Sequence, residues 1–363
     1  MKVNQIYINY GDKARKMIKE LLAEIKIETD LNKNHLIALK PNLINATRSQ
    51  NGATTDPELV KGIIEYLKNK GFKNIIIMEG SWVGEDTNKV FQYCGYKELS
   101  QKYEVPLYNL QKDHYITKTY NNIDIEIAAT ALKADYIINL PVLKGHSQTK
   151  ITCALKNLKG CISNSEKRKF HRQGLHKPIA YLNKLLRQDL IIVDGIYGDL
   201  DFEEGGNPVK MNRLMAAKDP VLIDSYLADL MGYSSAEVQY IEIANQIGLG
   251  KKDWKQAEIR ELNQKQTVKI DYPTGKIKKY ADKIKAKEVC SACYGSLILA
   301  LKRLDKKGKL EDLTEPIKIG QGYQGEKFSN IGIGNCCQGA EAYIEGCPPH
   351  TKKIMDFLLK RNK

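Results

Sequence analysis

The chain has 363 residues and eight cysteines, with 57 basic against 43 acidic side chains for a formal net charge of +14. Length points to about two domains at roughly 100–200 residues each, and a 42% apolar content supplies a core that excludes bulk disorder. No apolar run approaches the roughly 18 residues of a membrane span, and the opening Met1-Lys2-Val3-Asn4-Gln5 lacks the apolar core of a signal peptide, so a cytoplasmic protein with reduced or metal-bound cysteines is the expectation.

Strand-like and helix-like segments alternate through the first two thirds. His35-Leu36-Ile37-Ala38-Leu39 reads as a short strand ending at Lys40-Pro41-Asn42. After a polar loop, Thr55-Asp56-Pro57-Glu58 opens a helix: Thr55 or Asp56 caps, Pro57 suits the first turn, and Glu58 favours the positive end of the dipole. Gly71 is its stop. Ile75-Ile76-Ile77-Met78 reads as a buried strand ending at Glu79-Gly80. Ala128-Ala129-Thr130-Ala131-Leu132 reads as helix and Tyr136-Ile137-Ile138-Asn139-Leu140 as the next strand, running on to Lys144-Gly145-His146. Residues 152–158 could form a helix with Lys156 one turn from Thr152, and 179–186 reads as another helix. Leu190-Ile191-Ile192-Val193 is a strand ending at Asp194-Gly195, and from Asp219 the pattern is helical until Gly232. Continuous Ile/Val/Leu strands between helices predict an α/β fold, a mostly parallel sheet covered on both faces.

Residues 251–288 carry twelve basic and six acidic side chains and few apolar ones. A domain boundary is placed there, dividing an α/β core of residues 1–250 from a small C-terminal region of 251–363; residues 267–272 could form an exposed strand.

Ligands of open α/β sheets bind outside the carboxyl ends of the strands. Lys40 and Asn42, Glu79, Lys144 and His146, and Asp194 all fall at expected strand ends. Lysines there would hold a phosphate or carboxylate, His146 could exchange protons near neutral pH, and Glu79 and Asp194 could take protons or pair with the lysines. The assigned roles are chemistry for Lys144, His146, Glu79 and Asp194, and ligand binding for Lys40, Asn42, Lys156 and Asn157. Each alone is most simply a solvated loop residue; four at once argue for a site. His171 and Arg172 are expected in a loop near this pocket.

Gly320-Gln321-Gly322-Tyr323-Gln324-Gly325 fits G-x-G-x-x-G, but the glycine-containing stretch that follows is a poor helix. A glycine-rich loop beside a metal site is the better reading. Five of the eight cysteines fall in the last 74 residues: the C-x-x-C pair Cys290 and Cys293, then Cys336-Cys337, then Cys347-Pro348. A C-x-x-C pair with a third thiolate from Cys336 or Cys337 and a fourth from Cys347 would complete four ligands, and Cys followed by Pro ends many ferredoxin runs. A [4Fe-4S] cluster is favoured over zinc and over unligated thiols, and a thioredoxin-like disulfide is disfavoured because there is one C-x-x-C and no fitting βαβ unit follows it. Cys94, Cys153 and Cys161 are expected to be structural.

Lys40-Pro41-Asn42-Leu43, Gly52-Ala53-Thr54-Thr55-Asp56-Pro57, Leu140-Pro141-Val142-Leu143-Lys144-Gly145-His146 and Thr152-Cys153-Ala154-Leu155-Lys156-Asn157-Leu158-Lys159-Gly160, followed by Val193-Asp194-Gly195-Ile196, Lys218-Asp219-Pro220-Val221 and Leu230-Met231-Gly232, occur in this order. Over about residues 3–250 the chain resembles the domain of unknown function 362 family. The resemblance implies an α/β fold and iron–sulfur association; many members carry a ferredoxin-type insertion or tail. This chain departs from them in lacking the dense C-x-x-C-x-x-C-x-x-x-C-P run.

The expected function is an iron–sulfur protein, a redox enzyme or electron-transfer partner with an anion-binding pocket at the strand ends. The alternatives are a non-redox lyase, isomerase or transferase acting on a carboxylate or phosphate beside a structural metal, and a nucleic-acid or protein interaction module. Lysines spread along the whole chain, rather than a dense basic stripe, disfavour nucleic acid as the main partner. They suit an anionic small molecule or a redox protein partner reached by electrostatic steering.

Overall fold

Apolar residues on both faces of a strand are stable only where helices cover both sides, and that is how the longest apolar runs are used. The computed structural model describes residues 1–361 except 147, 201, 202, 204, 206 and 265–275, and the side chains of those residues except 276–278 and 291. The strand expected at 267–272 lies outside the described residues.

The chain divides into two compact units. The larger comprises Met1–Ser81, Glu85–Glu166 and Leu175–Tyr272; the smaller comprises Trp82–Gly84, Lys167–Gly174 and Pro273–Lys363. The larger unit thus continues past residue 250, and two internal segments belong to the smaller one.

Strands of the larger unit are β1 (Gln5–Tyr10), β2 (Ile37–Pro41), β3 (Ile75–Glu79), β4 (Leu107–Asn109), the hairpin β5 (Tyr115–Tyr120) and β6 (Ile123–Ala128), β7 (Tyr136–Leu140), β8 (Val142–His146), β9 (Lys150–Thr152), β10 (Leu190–Asp199), β11 (Val209–Ala217) and β12 (Glu258–Glu261). The main sheet runs β12-β1-β11-β10-β7-β2-β3-β4, with β8 pairing β10 and β9. The central pairs β10–β7, β7–β2, β2–β3 and β3–β4 are parallel, and β11 enters antiparallel between β10 and β1. The fold is therefore α/β around a mostly parallel sheet.

Alternation along the pleat assigns the faces. Ile37, Leu39, Ile75, Ile77, Ile138 and Ile192 form one core with Met17, Ile18 and Leu21 of the helix Ala14–Ile25 and Leu59, Ile63 and Leu67 of the helix Pro57–Asn69. Their neighbours Ala38, Ile76, Ile137, Ile191 and Val193 are buried as well. On that second face the short helix Ala154–Asn157 meets β7 and the helix Pro220–Leu230 meets β11. Each fully buried Ile or Leu contributes about 1.5–3 kcal/mol. Asp56 caps the helix Pro57–Asn69 by accepting from Glu58 N at 2.9 Å, and Asp219 caps Pro220–Leu230 by accepting from Val221 N at 2.8 Å.

The smaller unit has an all-parallel sheet, β13 (Ile284–Ala286), β14 (Ile317–Ile319), β15 (Phe328–Ile333) and β16 (Ala340–Ile344), in that spatial order. The helix Ser291–Lys306 connects β13 to β14 and packs on the helix Thr351–Arg361 through buried Leu297, Leu301, Leu304, Ile354 and Leu358. This corrects one expectation: the C-x-x-C pair does stand at the start of the helix of a βαβ unit.

Candidate functional site

Two groups of side chains have the chemistry of a site, one in each unit. In the larger unit β2 stops at Pro41, and the turn after it is held by side chains. Asn42 N donates to Thr55 Oγ1 at 2.8 Å, and Thr55 Oγ1 donates to Leu140 O at 2.7 Å. This ties the ends of β2 and β7 and aims Lys40 and Asn42 at one place. Lys40 Nζ lies 2.9 Å from Glu79 Oε2, with side-chain exposures of 0% and 3%. It also donates to Pro41 O at 2.9 Å and to Asn157 Oδ1 at 3.4 Å, so its three hydrogens have three acceptors. Glu79 accepts further from Leu43 N and Gly80 N.

Amides extend the network. Asn42 Nδ2 donates to Asn157 Oδ1 at 2.7 Å, and Asn42 Oδ1 accepts from Lys144 Nζ at 2.6 Å, which fixes the orientation of the Asn42 amide. Lys144 also donates to Ala53 O at 2.8 Å, and Asn157 Nδ2 to Asn139 Oδ1 at 2.6 Å. Gly160 closes this group by necessity of space: a Cβ there would lie 2.0 Å from Glu79 Oε1 and 2.7 Å from Lys40 Nζ.

A second ion pair involves a residue that motif reading missed. Lys156 Nζ donates to Glu203 Oε1 and, at 2.9 Å, to Thr152 Oγ1. His146 Nε2 stands 3.1 Å from Glu203 Oε2. His146 Nδ1 accepts from the backbone amides of Gln148 and Thr149, both at 3.1 Å, so the imidazole hydrogen sits on Nε2, facing the carboxylate. Burial, and then the neighbouring Lys156, push the His146 pKa down to about 4, so the ring is neutral at pH 7. Burial pushes the Glu203 carboxyl up, but Lys156 and His146 outweigh it and hold it well below the usual range. The signal for Glu203 was the run Asp201-Phe202-Glu203-Glu204-Gly205-Gly206, an acidic, glycine-ended stretch after a strand.

Three lysines, Lys40, Lys144 and Lys156, are thus buried with two carboxylates, Glu79 and Glu203. Asp199, fully buried, is also the register partner of Lys144 between β10 and β8. In this state His146 is a hydrogen-bond donor through Nε2 and offers no basic nitrogen.

Other expected residues stand differently. Lys144 and His146 lie within and at the end of a separate strand, β8, rather than beyond β7. Asp194 is inside β10, not at its end. It accepts from Asp56 N at 2.8 Å and Ile196 N at 3.2 Å, so it anchors the start of the helix Pro57–Asn69 rather than the lysines. Burial, then the nearby Asp56, raise its pKa to about 7. Thr152 closes β9, and the helix after it spans only Ala154–Asn157. Asp224 orients that turn by accepting from Ala154 N at 2.8 Å and Leu155 N at 3.1 Å. Its signal was a carboxylate directly after the apolar run Val221-Leu222-Ile223 inside a helix. His171 and Arg172 are helical, in Asn164–Arg172, rather than in a loop, and belong to the smaller unit.

In the smaller unit Cys290 is the N-cap of the helix Ser291–Lys306 and Cys293 lies in its first turn. Cys336 is in the single-turn segment Asn335–Cys337 after β15, and Cys347 follows β16. Asn335 N donates to Gly346 O at 3.0 Å and Gly346 N to Asn335 Oδ1 at 2.7 Å, which binds the Cys336 and Cys347 segments together. Gly334, at φ +88°, lies beside this group: a Cβ there would be in ordinary contact, 3.8 Å from Cys293 Sγ and 3.4 Å from Gly346 O. Burial raises the Cys293 thiol, and Cys290, Cys347, Cys336 and Cys337 raise it further. Cys337 points elsewhere: it is fully buried and donates from Sγ to Lys318 O at 3.7 Å. The donor set Cys290, Cys293, Cys336 and Cys347 fits a cluster in its chemistry. Among the described residues, no three Cys, His, Asp or Glu side chains converge as one ion requires; cluster cysteines each bind a different iron and need no such convergence. Gln321, from the glycine-rich G-x-G-x-x-G loop, donates from Nε2 to Cys290 Sγ at 3.3 Å. No long helix follows that loop, in line with the rejection of a dinucleotide fingerprint.

Fold and site together define an α/β protein with a buried lysine–carboxylate network at its strand ends. The chain belongs to the family described as Domain of unknown function (DUF362), which matches residues 37–229. It is 27% identical over 224 residues to the thylakoid-associated protein sll1697 of Synechocystis sp. (strain ATCC 27184 / PCC 6803 / Kazusa), covering 59% of this chain and 68% of that protein. Among solved structures it is similar to the lactate racemase apoprotein from Thermoanaerobacterium thermosaccharolyticum, with 16% identity and a TM-score of 0.37 over 58% of this chain. A protein from Thermotoga maritima is similar at 14% identity and a TM-score of 0.36 over 65% of this chain. The chain spans 54% and 60% of those two structures.

No helix among the described residues is long and apolar enough to cross a membrane.

Proposed function

We propose that this protein is an iron–sulfur protein, a redox enzyme or electron-transfer partner, whose α/β unit binds an anionic group. One observation carries the reading: Cys290 and Cys293 at one helix start, and Cys336 and Cys347 on two segments hydrogen-bonded to each other, lie in one unit, with Gly334 beside Cys293. A [4Fe-4S] cluster held by these four would supply one-electron chemistry. Cys337 is left to pack under β14. All eight cysteines are free thiols, which is the state cluster binding needs and which fits a cytoplasmic location.

In the larger unit the chain's own residues bind and orient. Lys156 and His146 present an ammonium and an N–H to one carboxylate, now that of Glu203, and a ligand carboxylate or phosphate of matching geometry would compete for the same donors. Lys40 and Glu79 act as the rigid floor that holds Asn157 and Asn42, and through Asn42 the Lys144 ammonium.

Anaerobic purification with iron and sulfide analysis tests the proposal. Brown protein with broad visible absorbance and iron matched by sulfide is expected; colourless protein with stoichiometric zinc would overturn it. A second reading, dithiol–disulfide exchange at Cys290 and Cys293, is favoured by their place at the start of a βαβ helix. It predicts instead an iron-free protein that loses two titratable thiols on mild oxidation.

A further inference from the structure

The loop Gly320-Gln321-Gly322 and the inner segment Lys167–Gly174 have no part in the function above, yet both belong to the unit that holds the cysteines. Gln321 has one side-chain nitrogen with two hydrogens, and each has an acceptor. One goes to Arg168 O at 3.1 Å and the other to Cys290 Sγ at 3.3 Å. The Arg168 carbonyl can only accept, so the orientation of the Gln321 amide is determined. Its backbone is held too: Gln321 N donates to Glu288 O at 3.1 Å. Arg168 in turn donates from Nη2 to Cys347 Sγ at 3.9 Å, and Arg168 and Arg172 both act electrostatically on Cys336. Two cysteine sulfurs therefore receive N–H groups from two residues joined by the bond from the Gln321 amide to the Arg168 backbone carbonyl.

Hydrogen bonds and positive charge at the sulfurs are the main means by which a protein sets a cluster's potential. Reduction adds one electron and breaks no bond; the added negative charge spreads onto the cysteine sulfurs, where a fixed N–H or a guanidinium stabilises it more than it stabilises the oxidised state. We propose that Gln321 and Arg168 are positioning residues that raise the reduction potential of a cluster held by Cys290, Cys293, Cys336 and Cys347. The proposal rests on the iron–sulfur reading above. It assigns the glycine-rich loop a role: glycines on either side of Gln321 let the backbone turn tightly enough to bring its amide to Cys290.

The test is a dithionite titration of the full-length chain under anaerobic conditions with redox mediators, followed by electron paramagnetic resonance and visible absorbance. Iron and sulfide are measured on each sample. Gln321→Leu removes the donor, Gln321→Glu replaces it with an acceptor, and Arg168→Gln removes the charge. The expected result is unchanged iron and sulfide content with a lower midpoint potential in all three. The equilibrium constant for electron uptake should fall about tenfold, or 59 mV for one electron, and fall most in Gln321→Glu. Unchanged potentials at full iron content would overturn the proposal while leaving the iron–sulfur reading intact. Loss of iron in both Gln321 variants would overturn it in favour of a holding role. Wild-type protein that takes up no iron would overturn both.

Discussion

The Lys40 ammonium and the Glu79 carboxylate lie 2.9 Å apart with side-chain exposures of 0% and 3%, at the adjoining ends of β2 and β3. Their charges are fully desolvated, so each depends on the other and on the amides around them. Replacing one partner leaves a buried charge. Lys40→Met and Glu79→Gln are each expected to destabilise the larger unit by about 3–5 kcal/mol. In urea unfolding, the double variant should lose less than the sum of the two. Additive losses would show that the pair is not coupled.

Gly160 leaves free the space that the Lys40–Glu79 pair occupies. Its Cβ would fall 2.0 Å from Glu79 Oε1 and inside contact distance of Lys40. Gly160→Ala should cost at least the about 1–3 kcal/mol of ordinary overpacking, read as a lowered unfolding midpoint. Gly308→Ala, where nothing lies within 4 Å, is the comparison: it carries only the backbone strain of φ +66°. Equal losses in the two variants would remove the crowding argument.

Stability should depend on pH through opposed groups, of which His146 and Asp194 are one pair; Asp224, also raised to about 7 by burial, acts in the same sense as Asp194. The His146 pKa is depressed to about 4, so between the unfolded value of about 6.5 and 4 the unfolded chain takes up the proton first. Stability falls as pH falls through that range. Asp194 is raised to about 7, so the folded state holds its proton more tightly, and this contribution is lost as pH rises through 7. His146→Gln should therefore flatten the decline on the acid side, and Asp194→Asn the decline toward neutral pH. Thermal unfolding from pH 4 to 8 reads both slopes; unchanged profiles would show that neither group is shifted as described.

Glu203 occupies a donor of Lys156 and lies 3.1 Å from His146 Nε2. In Glu203→Gln the Lys156 charge keeps Thr152 as a partner but loses its counter-ion. The variant should be destabilised and then regain much of its unfolding temperature when inorganic phosphate is added, with a smaller response in wild type. No difference in the phosphate response would count against an anion site at these residues.

Cys336 and Cys337 are neighbours with different surroundings. Cys337 is buried with its thiol toward Lys318 O, while Cys336 stands with Cys347 and the arginines. After anaerobic reconstitution, Cys336→Ser should lose iron and visible absorbance, and Cys337→Ala should keep both. The reverse result would exchange the two assignments.

Much of the fold could be read directly. The strands at Ile37, Ile75, Tyr136 and Leu190 and the caps Asp56 and Asp219 follow from apolar runs and from side chains within three residues of the amides they satisfy. The site was legible in part: Lys40, Asn42, Glu79, Lys144, His146, Lys156 and Asn157 were all named as candidates. Their pairing was not, because Lys40 meets Asn157 across 117 positions of chain and Glu203 reaches His146 from a stretch without a motif. Asp194 read as a strand end because Gly195 follows it; β10 instead continues through a bulge to Asp199.

Local chemistry, by itself, determined where strands and helices begin, that the sheet is mostly parallel, and that five cysteines cluster late in the chain. Each of these depends on residues near one another in sequence. The tertiary structure decided which charges neutralise which, which nitrogen of His146 carries its hydrogen, why residue 160 is glycine, and how differently two adjacent cysteines are surrounded. Those outcomes depend on burial and on distances of a few ångströms between residues far apart in the chain, and only the folded packing sets them.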